Sequence, residues 1–145
     1  MPNFWIFAIS YFISCIIHEL AHYIFFRCFG LAVIEISFGI FRMSFVDGCI
    51  IPKCTLSKPF DFSCSCENIQ SVSRCKRNIC LLAGGLINLV CALILALFII
   101  WVEIQCIKVV ICIQIISCIA NVFINIVNPY SKDRKLIREL NDTGV

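Results

Sequence analysis

Long apolar runs alternate along the chain with two more polar stretches. Three of these runs, at about 4–29, 79–102 and 107–128, are long enough to cross a membrane, which takes about 20 helical residues. Only a short polar stretch, with Glu103, Gln105 and Lys108, separates the last two runs. We therefore predict an α-helical integral membrane protein with three transmembrane helices, built as one membrane-embedded unit over residues 1–145.

The segment between the first two helices, residues 30–78, has a different pattern. Apolar and polar residues partly alternate from Leu31 to Phe45, which predicts a strand. The residues assigned to its apolar face are Ile34, Ile36, Phe38 and Ile40. Asp47-Gly48 is a hairpin turn signal, and Cys49–Cys54 is the expected returning strand, confined to a sheet edge by Pro52. The expectation is a small β hairpin, followed by an irregular polar stretch from Ser57 to Asn78.

The composition identifies the solvent to which the chain is suited. Apolar residues make up 61% of it and charged residues 14%, against about 25% charged residues in a typical soluble domain. These values exclude a disordered chain, a nucleic-acid-binding domain and an ordinary soluble enzyme. The expected partner is the lipid bilayer, with no nucleic acid.

The basic residues predict an orientation, because cytoplasmic loops carry an excess of Lys and Arg. The N-terminal end has none, the second turn has Lys108, and the remaining basic residues fall in the first loop and the tail. Those of the loop region are Arg27, Arg42, Lys53, Lys58, Arg74, Lys76 and Arg77, and those of the tail are Lys132, Arg134, Lys135 and Arg138. The N-terminus is therefore expected outside, with the loop 30–78 and the tail 129–145 in the cytoplasm.

The twelve cysteines are expected to be unpaired thiols. Seven of them lie in or beside apolar runs, where a thiol acts as a small hydrophobe. A cytoplasmic loop is a reducing environment, which disfavours disulfides there. Cys64 and Cys66 form a C-x-C pair that matches no strong zinc spacing, so a metal site at this pair is the less favoured interpretation.

The first helix contains His18-Glu19-Leu20-Ala21-His22. Histidines four residues apart project from one helix face, so both can ligate one Zn²⁺ while the adjacent Glu19 reaches a water molecule beside the metal. The alternative interpretation is a pair of polar residues whose hydrogen bonds are satisfied at a helix interface. Inside a membrane span, however, two His and a Glu are costly and mark a functional site by default.

Polar or small residues recur at helical spacing in all three predicted helices. The rows are Ser10, Ser14, His18 and His22, then Gly84, Asn88, Ala92 and Ala96, then Gln114, Ser117, Asn121, Asn125 and Asn128. Small residues permit close helix approach in lipid, and amides bond across the contact. The second row alone is explained by ordinary helix packing. The third row has five polar residues on one face, which is more than packing needs. It predicts a polar cavity in the cytoplasmic half of the bundle.

A catalytic zinc usually has three protein ligands and one open position. Since the chain has only two histidines, the third ligand is a carboxylate or a thiol. Asp133 follows the polar face of the third helix, and Cys118 and Cys28 are weaker candidates.

These residues resemble the site-2 protease family of intramembrane zinc metalloproteases, reduced to a minimal core. The HExxH motif matches at His18, Glu19 and His22, and the stretch from Leu82 to Asn88 is similar to the small-residue motif with a downstream Asn. Asn125 and Asp133 keep the family's spacing of eight, although Pro129 comes one position late and Arg134 replaces a Gly.

The resemblance implies a zinc-dependent intramembrane endopeptidase that cleaves a membrane-spanning or membrane-associated peptide near the cytoplasmic face. His18, His22 and Asp133 would hold Zn²⁺, Glu19 would be the general base and acid, and Asn88 and Asn125 would bind the substrate backbone or the oxyanion. The expected location is a bacterial cell membrane. The alternative is a non-catalytic metal-binding membrane protein that escorts a peptide partner, and a small cation carrier is a third, weaker hypothesis.

Overall fold

The computed structural model describes residues 2–56 and 61–124. The order of elements is α1 (Pro2–Cys28), β1 (Val33–Phe38), β2 (Phe41–Val46), β3 (Cys49–Cys54), β4 (Phe62–Cys66), α2 (Arg74–Phe98) and α3 (Gln105–Val122). One short 3₁₀ helix precedes α2 and another follows it. A mostly helical chain with a small antiparallel sheet after its first helix agrees with the predicted fold class in outline.

The three predicted apolar helices are present. Two of them, Phe4–Cys28 and Arg74–Trp101, are long and apolar enough to cross a membrane, and the third apolar helix, Ile107–Val122, is shorter. The second helix begins five residues earlier than its apolar run, since Arg74 to Asn78 extend it at the N-terminal end. All three helices contact one another, so the bundle has an interior shared by all of them.

The predicted single hairpin is too simple, because the described residues form a four-stranded antiparallel sheet in the order β3-β2-β1-β4. The run from Leu31 to Phe45 is two strands joined by a turn at Gly39 and Ile40. Gly39 has a φ of +65°, a conformation that glycine adopts without a steric penalty. Sequence reasoning placed this glycine inside a strand, whereas its backbone conformation turns the chain.

The turn at Asp47 and Gly48 is confirmed. Their φ values are +50° and +78°, as a two-residue type I′ hairpin requires at both central positions. β3 lies at the sheet edge, as Pro52 predicted. β4, by contrast, falls in the stretch that was expected to be irregular. Its alternation of Ser and Cys is too weakly apolar to predict a strand.

The sheet has one apolar face and one polar face. Ile36 is opposite Met43 and Cys64 on the apolar face, and β1 and β4 contact α1. The rings of Phe62 and Phe12 meet edge to face with centroids 5.4 Å apart. The apolar face therefore packs against the first helix.

The opposite face of the sheet carries ion pairs and hydroxyl contacts. Arg42 lies 3.5 Å from Glu35 and 3.2 Å from Asp61, and the hydroxyls of Ser37 and Ser63 are 2.9 Å apart. Ile34, which was assigned to the apolar face, is exposed. The register shift between Val33 and Glu35 accounts for this difference, because it interrupts the alternation at that position.

Candidate functional site

The His18–His22 pair lies in the interior of the helical bundle. Both side chains are almost completely buried, and their Nε2 atoms are 3.1 Å apart. Two ligands of a tetrahedral zinc with bonds of about 2.0–2.1 Å lie roughly 3.3–3.4 Å apart. The two imidazoles already hold nearly that separation, so the pair fits two positions of a zinc site.

A backbone carbonyl of α2 orients His22. Its Nδ1 lies 2.8 Å from the carbonyl oxygen of Cys80, an acceptor to which only an N–H can donate. In the neutral imidazole this proton leaves the Nε2 lone pair available, and metal-ligating histidines commonly use such an outer hydrogen bond. The Cys80 carbonyl therefore selects the tautomer of His22 that can bind a metal.

Gly84 of α2 makes room for His18. A Cβ at this position would lie 2.6 Å from three atoms of the His18 ring, closer than non-bonded carbon atoms can approach. Any larger residue would have to displace the imidazole. The predicted small-residue contact is therefore the surface against which one of the two histidines rests.

Glu19 is also buried, and it points to a different side of α1. Successive helical residues are about 100° apart around the axis. Burial raises the pKa of the Cys64 thiol to about 12, with smaller contributions from the charges of Glu19 and Cys66. Phe12 precedes Glu19 by seven residues, so the two share a helix face, and the Phe12 ring meets Phe62 of β4. β4 therefore lies on the Glu19 side of α1, while α2 occupies the His18 side.

Asn88 is fully buried one turn after Gly84. In the part of the chain that the structure describes, neither atom of its amide has a hydrogen-bond partner. Such a group costs about 1–3 kcal/mol. Buried amides are normally satisfied, so this one is available to a ligand.

The predicted polar rows meet in the bundle interior. Ser14 donates to the carbonyl of Ser117 at 3.4 Å, and the amide of Asn121 donates to the Cys15 thiol at 3.2 Å. Ser10 is buried as well, but Ala96, the last member of the second row, is exposed. The shared polar interior extends through that row only as far as Ala92.

The third metal ligand is not found among residues 2–56 and 61–124. Within those ranges, no group of three His, Cys, Asp or Glu side chains is arranged to hold a metal. The candidates Cys118 and Cys28 therefore do not complete the His18–His22 pair. Asp133 and Asn125 lie outside the described residues.

Sequence reasoning missed the burial of Arg77. It was counted among the charges of the cytoplasmic loop, but its side chain is fully buried in the first part of α2. Its position was detectable from spacing, since it precedes Gly84 by seven residues and therefore shares a helix face with it. A charge in this position belongs to the protein interior and contributes nothing to the surface count that predicted the orientation.

The cysteines agree with the prediction of unpaired thiols. Those whose side chains the structure describes are all free. Burial also raises the pKa of Cys66, to about 11, with a smaller contribution from Cys80. Cys64 and Cys66 are thus protonated at neutral pH, which disfavours metal binding by the C-x-C pair, since metals bind the thiolate.

Comparison with known proteins gives a match to a protein family. The model of peptidase family M50, the family of site-2 proteases, matches residues 6–139. Searches of curated proteins and of solved structures give no significant match.

Proposed function

The chain belongs to peptidase family M50, and on this premise we propose that it is a zinc-dependent intramembrane endopeptidase. Membership makes it a metallopeptidase of the site-2 protease type. The proposed substrate is a membrane-spanning or membrane-associated peptide, cleaved near the cytoplasmic face. The observation that carries the proposal is the buried pair of Nε2 atoms 3.1 Å apart beside a buried glutamate.

We propose that His18, His22 and Asp133 hold the metal. The two histidines fit it by distance and by the tautomer that Cys80 selects. Asp133 is supported by the sequence motif and by a family match that extends through it. When bound, zinc would supply a Lewis acid that polarises the scissile carbonyl.

Glu19 is the proposed general base and general acid. It would take a proton from the attacking water and return it to the leaving amine. Its carboxyl group is buried in the bundle, on the same helix as the two histidines and adjacent to His18 in sequence.

Asn88 and Asn125 are the proposed ligands of the substrate backbone or the oxyanion. Asn88 is supported by its buried and unsatisfied amide, located one turn from the glycine that contacts His18. A donor that is already fixed in a dry site stabilises developing charge more effectively than one in water. Asn125 is proposed from the sequence motif alone.

A transmembrane substrate must extend locally before its peptide bonds can be attacked, and strand addition is one way to hold it. The β segment offers this possibility at its edges but not at β1, which is paired on both sides. The edges of the described sheet are β3 and β4, and we propose β4 because it lies on the Glu19 side of α1.

A proline scan tests this docking edge. Substitutions at Ser63, Cys64 and Ser65 are compared with substitutions at Ile50, Ile51 and Lys53 of β3, with zinc content as the control for folding. Loss of cleavage confined to the β4 positions supports the proposal, and loss confined to β3 overturns it.

The membrane location is supported by two long apolar helices and by the family. We propose a multi-pass protein of a bacterial cell membrane with its N-terminus outside and its C-terminus in the cytoplasm. The exposed β3 lies in the loop that this orientation assigns to the cytoplasm.

Metal analysis tests the site. The purified chain should contain one Zn²⁺, His18→Ala or His22→Ala should abolish binding, and Asp133→Ala should weaken it strongly. Ser10→Ala, on the same helix row but distant from the pair, is the matched control. Full zinc content and activity in Asp133→Ala would show that the third ligand is another group.

A further inference from the structure

A partly open cavity of about 380 Å³ is lined by residues of all three helices and by neither of the two histidines. Its inner wall includes Ile17 of α1, Leu95 of α2 and Gln114 of α3, all of them half-buried. Leu95 lies about two helical turns from Asn88 along α2, and Gln114 lies about two turns from Asn121 along α3. Ile17 directly precedes His18 on α1. The cavity therefore adjoins the proposed active site, but His18, Glu19, His22 and Asn88 do not line it.

The mouth of the cavity opens on an apolar surface. Its rim includes Ile13, which is 43% exposed, and Ile94, which is 59% exposed. Leu93, beside the rim, is also exposed. In a bilayer the hydrocarbon tails of lipids would cover such a surface, so these tails are the molecules already at the mouth.

The Gln114 amide, a polar group among the lining side chains, is directed into the wall of the cavity and not into its open space. The Gln114 amide donates to the thiol of Cys118 at 3.7 Å, and the other lining side chains are aliphatic or cysteine. Apolar cavities exclude water but accept apolar guests, and an engineered cavity of about 150 Å³ binds benzene. This larger cavity suits a long apolar guest that needs no hydrogen bond.

We propose that the cavity binds one acyl chain of a membrane phospholipid. An empty cavity leaves its lining atoms without partners on one side, and a flexible chain that enters from the mouth restores those contacts. The inference rests on the membrane location given above and not on catalysis, and it assigns a ligand to a place that the proposed reaction does not use.

Photolabelling of the full chain in lipid nanodiscs tests this inference. The probe is phosphatidylcholine with a diazirine near the middle of one acyl chain, and mass spectrometry locates the adducts. Adducts are expected on the inner wall, at Ile17, Leu95 or Gln114, and also on exposed Leu93. Labelled Leu93 with an unlabelled inner wall would overturn the inference while leaving the membrane location intact.

A variant with a larger side chain inside the cavity provides the matched comparison with the wild type. Cys91 lines the cavity, so Cys91→Phe should remove most inner-wall adducts and spare those at Leu93. Leu93→Phe, outside the cavity, should preserve the inner-wall adducts. The wild-type pattern decides alone if Cys91→Phe does not fold. An inner wall labelled only by a diazirine-bearing polyleucine transmembrane peptide would assign the cavity to peptide side chains and overturn the lipid proposal.

Discussion

The helical bundle and the β-sheet distribute their polar residues in opposite ways. In the bundle, Ser14, Ser117 and Asn121 are at most 1% exposed, while the outer surface carries large apolar side chains such as Leu93 and Leu97. In the sheet, the apolar face packs against α1, and the ion pairs of Arg42 lie on the opposite face.

The difference is the one that the proposed membrane location predicts for the two regions. The sheet divides its apolar and polar residues between two faces, as half-buried antiparallel sheets in water commonly do. The bundle has an apolar exterior suited to lipid and a polar interior, and polar groups in such an interior are expensive and mark function. The contrast predicts that substitutions of the proposed site residues in the bundle interior affect catalysis, whereas substitutions on the polar face of the sheet do not.

Apart from Glu19 and the proposed metal ligands, the largest effect should come from Asn88→Leu. The change removes the proposed oxyanion donor, and loss of one such donor costs about 10²–10³-fold in rate. It also removes a buried amide that has no partner in the described part of the chain, so thermal stability should be unchanged or higher. Cleavage assays and thermal unfolding of the purified protein measure the two effects.

Asn121→Leu is the matched control for Asn88→Leu. This side chain donates to the Cys15 thiol, so its replacement should lower stability, because a buried hydrogen bond is lost. If Asn88→Leu instead destabilises the protein and cleaves at the wild-type rate, Asn88 is an ordinary packing residue.

Gly84→Ala should have an intermediate effect. The new Cβ requires the His18 ring to move, and disturbance of the groups that orient a ligand typically costs about 10–100-fold in metal affinity. Zinc titration with a competing chelator measures the change. Leu86→Ala, at an exposed position of α2, should leave zinc affinity unchanged, and equal affinity in both variants would contradict the observed packing.

The smallest effect concerns the sheet thiols. Burial raises the pKa of Cys64 to about 12 and of Cys66 to about 11, while Cys49 and Cys54 are exposed. Because the thiolate is the nucleophile, alkylation at neutral pH should be severalfold slower at Cys64 and Cys66. Iodoacetamide labelling followed by mass spectrometry measures the rates, and equal rates at all four positions would contradict the partial burial of the two β4 thiols.

The same shifts predict a loss of stability at alkaline pH. The unfolded thiol releases its proton near its ordinary pKa of about 8.5, whereas the folded Cys64 holds its proton up to about pH 12. Between about pH 8.5 and about pH 12 the folded state therefore binds more protons than the unfolded state. The contribution of the protonated Cys64 thiol to stability is complete below about pH 8.5 and declines as the pH rises above that value.

Thiol labelling also bears on the predicted orientation. An impermeant reagent outside intact cells should miss Cys64 and Cys66. Their slow reaction makes them poor reporters, however, and the exposed Cys49 and Cys54 of the same loop are better ones. Rapid external labelling of Cys49 or Cys54 would reverse the orientation.

The helical part of the site was predictable from spacing. His18 and His22 are one turn apart, and Gly84 and Asn88 share a helix face, so local helical geometry fixes which side chains point together. The sequence could not predict the contact of Gly84 with His18 or of Cys80 with His22. These contacts depend on how two helices pack, which is a non-local property.

The sheet was predicted less well, for one local reason and one non-local reason. Gly39 has no side chain to reveal its positive φ, so the alternation around it resembled one long strand. β4 is weakly apolar, and its pairing with β1 across the turn and two other strands decides its structure.

Arg77 of α2 was misplaced because a charge count contains no information on burial.

The most direct test of the account is the Glu19→Gln variant. The amide keeps the size and hydrogen bonding of the side chain but cannot accept a proton, and loss of a general base costs about 10²–10⁴-fold in rate. The measurement compares zinc content and cleavage of an identified partner peptide, co-expressed with wild type or variant. We expect equal zinc and insertion with no cleavage by Glu19→Gln. Equal processing of that peptide by both proteins would contradict the protease account and favour a non-catalytic protein that binds metal and escorts a peptide.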